Sequence, residues 1–271
     1  MEREIAQSKE PVASILSSLL AGVYWSYFQA NRWRLYDRTQ TLNFKKTISQ
    51  PGARKICIEK SQNSIYGLSK TKNYCSKQSL PPSMPLSSRA PCRHLRPTLY
   101  DVLAHRALEY FQNDERDIKK PAYAFEIDQA SAFDPAADFI TRKFTTKDSL
   151  SLQHKALLIY QKLVALHLKD ARPDALIEVD LERIDFVNNN SVHPDKDQLY
   201  FNAINHVAHQ YENLPAASEA WFLIADYYDK KAGEYKAYGD TTHQFDRLKA
   251  KEICEKVLES NRLFRRKNQL L

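Results

Sequence analysis

The residues in this chain that could do chemistry are few and scattered. His206 and His209 lie three apart on a helical pattern, with Glu212 the nearest acid, the start of a metal site if a third ligand converged. As a pair on one helix they read more simply as partly exposed surface histidines, and no metal site is expected. Cys57-Ile58-Glu59-Lys60 has the outline of a thioester motif. A thioester needs a glutamine carboxamide carbon as the acyl partner, and Lys60 cannot supply one, so the likeness carries no chemistry. The acids Asp180, Glu182 and Asp185, and Asp226 and Asp229, alternate with apolar residues. They read as the solvated faces of amphipathic helices. No Gly-rich phosphate loop, no Gly-x-Ser-x-Gly and no His-Glu-x-x-His occurs. The sequence therefore predicts no catalytic, cofactor-binding or metal-binding residue, and a protein that is not an enzyme.

The elements that would carry any site are helical. The 271 residues include only 5 Gly, against 43% hydrophobic and 11% aromatic side chains. Few glycines and few turn dipeptides argue against many short strands. Pro11 opens a first helix, with Ser8 upstream as a cap and Val12, Ile15, Leu16, Leu19, Leu20, Val23, Tyr24, Tyr27 and Phe28 at helical spacing. A stripe this broad needs cover from other helices.

Residues 45–96 break the pattern. They hold eleven Lys or Arg against one acid, Glu59, a local charge of +10, so the rest of the chain carries −3 of the total +7. The basic balance belongs to one stretch and is weak support for nucleic-acid binding. Tyr66 and Tyr74 are its only aromatics, too few for a stacking platform, and specific nucleic-acid binding is not expected. Cys57, Cys75 and Cys92 have 17 and 16 residues between them, which is not a zinc spacing, and Cys254 stands alone. Nine serines, Pro81, Pro82 and Pro85, and no periodicity make the stretch read as disordered.

Order returns at Thr98, where Asp101 three residues on gives a capping-box spacing and Leu99, Leu103, Ala107 and Tyr110 share a face. Residues 114–134 read as a connector, with 121–127 able to extend, and Asp134-Pro135 starts a short helix. From Ser149 on, stripes follow closely. They are Leu152, Ala156, Ile159, Leu163 and Leu166; then Ile177, Leu181, Ile184 and Val187; then Tyr200, Ala203, Val207 and Tyr211. Pro215 opens a fourth, through Tyr228, and Leu248, Ile253, Val257 and Leu258 close the series. Pro173, Pro194 and Pro215 each stand where a helix would begin. The expected fold is all-α, an irregular helical-hairpin solenoid or bundle. Trp221, Ile224, Ala225 and Tyr228 have the spacing of a tetratricopeptide repeat, with Ala250 and Cys254 at the positions of its second helix, so the C-terminal half is expected to be tetratricopeptide-like. The expected segments are 1–44 helical, 45–96 basic and disordered, 97–261 a helical-repeat domain, and 262–271 a basic tail.

Several strings resemble one family. Arg96-Pro-Thr-Leu-Tyr-Asp-Val-Leu-Ala-His-Arg-Ala-Leu-Glu-Tyr-Phe (96–111) is similar to the N-terminal helical region of large alpha-2-macroglobulin-like proteins of Bacteroides-type bacteria. So are Ser191 to Tyr200, Asp240 to His243, Lys249 to Leu258, Lys9 to Leu16 and Asn31 to Arg34. The resemblance covers about 1–44 and 96–260. It implies a place in an endopeptidase-inhibitor family of the periplasm or cell envelope, with proteases as the partners of the whole proteins. Those partners would be met through macroglobulin sandwiches, a bait segment and in some members a thioester, none of which lies in this stretch. No functional residue of the family maps here, so the resemblance implies a non-catalytic helical scaffold or protein-interaction module. A free-standing tetratricopeptide-type adaptor for protein or peptide partners is the alternative. Val12 to Trp25 carries three serines and is too short and polar to span a bilayer, and Met1 to Glu4 begins no export signal. The chain as written is expected to stay cytoplasmic. Family-like strings stop near Phe44 and resume near Leu95 just where composition changes. Residues 45–95 are therefore expected to be an out-of-frame read between two compensating frame changes, with a genuine disordered insertion as the alternative.

Overall fold

A computed structural model describes residues 1–36, 94–112, 123–149 and 151–269; side chains are not described at Glu2, 32–36 and 261–269. Among the described residues the fold is all-α, with nine α-helices and no strand. The chain divides into two compact units, 1–122 and 123–271. The sequence boundary near residue 97 falls inside the first unit. The basic stretch from 45 to 93, with Cys57 to Lys60, Cys75, Cys92, Tyr66 and Tyr74, lies outside the described residues.

The first unit contains α1 (Glu2–Gln7), α2 (Val12–Tyr36) and α3 (Leu99–Phe111), with α1 and α3 packed on α2. Ser8 closes α1, its N–H donating to the Glu4 carbonyl at 2.8 Å, and does not cap α2 as its position suggested. Glu10 instead accepts from Ser14 Oγ at 2.6 Å. The buried face of α2 is Leu20, Tyr24 and Phe28, flanked by Ile5 and Trp25. Trp25 stacks on Phe28 at 5.2 Å and meets the edge of Tyr110 at 5.6 Å, so aromatic packing joins α2 to α3. The capping box forms at α3: Thr98 N–H donates to Asp101 Oδ2 at 2.8 Å, and Asp101 N–H to Thr98 Oγ1 at 3.3 Å. Leu99, Leu103, Ala107 and Tyr110 are all buried as their spacing predicts. The other flank of α2 exposes Val12, Leu19, Val23 and Tyr27.

The second unit stacks five long helices, each packed on the next. They are α5 (Leu152–His167), α6 (Asp174–Asn190), α7 (Lys196–Gln210), α8 (Ser218–Ala232) and α9 (Asp246–Gln269); a short α4 (Ala136–Phe139) precedes them. Pro173 sits at the start of α6, Pro194 just before α7, and Pro215 opens a single 3-10 turn that runs into α8. The fixed φ of proline suits a helix start, and its missing N–H costs nothing there.

Two sequence stripes, those of α5 and α9, are rotated in the fold, and that of α7 is widened. On α5 the buried face is Leu152, Ala156, Leu157, Tyr160, Leu163, Val164 and His167, with Ile159 and Leu166 only half-buried. On α7 it is Tyr200, Ala203, Ile204, Val207 and Ala208, and Tyr211 lies past the last turn. On α9 the inward line is Asp246, Ala250, Ile253 and Val257, whereas Leu248 and Leu258 are exposed. α9 also runs unbroken past residue 261, so 262–269 continue the helix.

Residues 123–149 are a strap, not a free connector. Phe133, Phe139, Phe144 and Ala132 are buried, and helix side chains bond the strap's main-chain carbonyls. Gln161 Nε2 donates to the carbonyls of Phe139 and Arg142 at 2.9 and 2.8 Å. His154 Nε2 lies 2.8 Å from the Phe144 carbonyl, and Ser191 Oγ donates to that of Ile127 at 2.8 Å. Val192 N–H reaches the same carbonyl at 3.0 Å, closing one parallel bridge between Ile127 and Ser191.

Candidate functional site

Periodicity places Leu176, Asp180, Arg183 and Val187 on one line of α6, and all four are buried. Asp180 is therefore not on a solvated face, which corrects the sequence reading of that acid. Arg183 is wholly buried; its Nη2 lies 2.8 Å from Asp180 Oδ1, and Nη1 donates to the Ala132 carbonyl at 2.5 Å. Its guanidinium also lies over the Phe139 ring, 4.4 Å from the centroid. Arg183 Nε donates to Asp180 Oδ1 at 3.0 Å, and through the Ala132 carbonyl and the Phe139 ring the guanidinium holds the strap down. Sequence reasoning missed Arg183, although its i, i+3 spacing from Asp180 within an apolar stripe was the available signal.

The other acids are placed as read. Glu182 is half-buried and Asp185 exposed; Asp226 pairs with Lys230 at 2.6 Å, and Asp229 accepts from Arg247 of α9 at 2.9 Å. Although the residue as a whole is exposed, desolvation of its carboxyl pushes Asp185 up, against the pull of the Lys230 charge. Burial, with Asp185 and Asp226 nearby, raises the Tyr200 phenol to about 12.

His206 and His209 are both exposed on α7 and do not converge on Glu212 as ligands. Among the described residues no group of three His, Cys, Asp or Glu could hold a metal ion. His209 instead packs its ring edge-on against Trp221 at 5.0 Å. Trp221 thereby fills the end of the α7–α8 junction, while Ile224 and Ala225 are buried within the stack. Tyr228 meets Phe201 at 5.5 Å, and Lys249 of α9 lies over its ring at 5.2 Å. On α9 Ala250 is buried, Cys254 is exposed and Ile253 takes the inward position.

The far side of Trp221 faces an open cleft of about 400 Å³ between α8 and α9. Its apolar wall is Leu214, Trp221, Ile253 and Val257; Glu212, Asn213, Ser218, Lys256 and Ser260 form the polar rim. The antiparallel run of α8 and α9 brings the first turn of one beside the Ile253 to Ser260 stretch of the other, which is why residues as far apart in sequence as Trp221 and Val257 share a wall. Leu214 closes a turn after α7, its N–H donating to the Tyr211 carbonyl at 2.8 Å.

No protein-family model, curated protein or solved structure matches the chain. Among the described residues no helix is long and apolar enough to cross a membrane.

Proposed function

We propose that this chain is a non-catalytic helical interaction module, and that the α8–α9 end of the second unit is where it meets a protein partner. One contrast carries the reading. The strap covers α5 and α6, its carbonyls bonded by Gln161, His154, Arg183 and Ser191, whereas the α8–α9 cleft is open and apolar with a polar rim. A concave apolar site with a few polar groups at its edge is the usual form of a binding site. The tetratricopeptide-like spacing of Trp221, Ile224, Ala225 and Tyr228 supports the same reading, since hairpins of that kind present contact surfaces.

The resemblance of 96–111 and 191–200 to alpha-2-macroglobulin-like proteins favours a module that contacts the macroglobulin part of such a protein. The test begins with the DNA downstream of this coding sequence. Macroglobulin domains encoded there should co-purify with the chain when the two are expressed as separate polypeptides, and Ser260→Arg should weaken the association. Absence of such domains overturns the family reading and leaves the free-standing adaptor. Turnover assigned to a residue of the chain would overturn the non-catalytic reading.

A further inference from the structure

We draw no further inference here: the strongest candidate, the exposed apolar patch that Val12, Leu19, Val23 and Tyr27 form along one flank of α2, carries nothing because nothing in the structure shows what covers it.

Discussion

Arg183 and Asp180 stand one turn apart on α6, 2.8 Å from each other, both out of solvent, and together they fasten a segment more than forty residues earlier in the chain. A buried ion pair adds little over an apolar pair of the same volume, but removing one partner strands the other charge. Arg183→Met should therefore cost about 3–5 kcal/mol in urea unfolding. Arg183→Met with Asp180→Leu should recover much of that loss. A double variant as unstable as the single one would show that the pair itself, and not the stranded charge, sets the stability.

Gln161 holds the strap at two carbonyls with one side-chain nitrogen. Gln161→Leu keeps the volume and removes both donors, at about 1–3 kcal/mol for groups left unpaired. The local signature matters more than the total. Amide exchange should quicken over 139–144 and stay unchanged in α8 and α9. Uniform quickening across the second unit would mean that the strap does not open separately.

Packing moves the Tyr200 titration well away from its ordinary value. Burial first, then the charges of Asp185 and Asp226, raise its phenol to about 12 from the ordinary 10.0. Because the folded value is raised, its contribution to stability is complete below pH 10 and is lost as pH rises toward 12. Phenol NMR, assigned with Tyr200→Phe, should show this ring ionising near pH 12. Asp226→Asn should lower its value; no change would remove Asp226 as a cause.

The capping box at α3 makes a test in the first unit. Thr98→Ala removes the acceptor for the Asp101 N–H and should cost about 1 kcal/mol, while Thr98→Ser should cost little. Amide exchange at the first turn of α3 is the direct readout. Equal exchange in both variants would show that packing of Leu99 and Tyr100, and not the cap, holds the helix start.

What the sequence determined by itself was local. Proline placement at 173, 194 and 215, the Thr98–Asp101 spacing and the 3.6-residue periodicity are short-range properties, and each was legible as helix without knowing its neighbours. Tertiary structure decided which flank of each helix turned inward. The broad stripes of α5 and α9 allow several rotations, and only contact with the adjacent helix selects Val164 over Leu166 and Ile253 over Leu258. Tertiary structure also decided the fate of the non-periodic residues. Nothing local marks 123–149 as core, because its carbonyls are bonded by side chains 10 to 64 positions away. The cleft beside Trp221 belongs to the same class. Its two walls come from helices joined by a long loop, and only their antiparallel packing sets Leu214 and Trp221 opposite Ile253 and Val257.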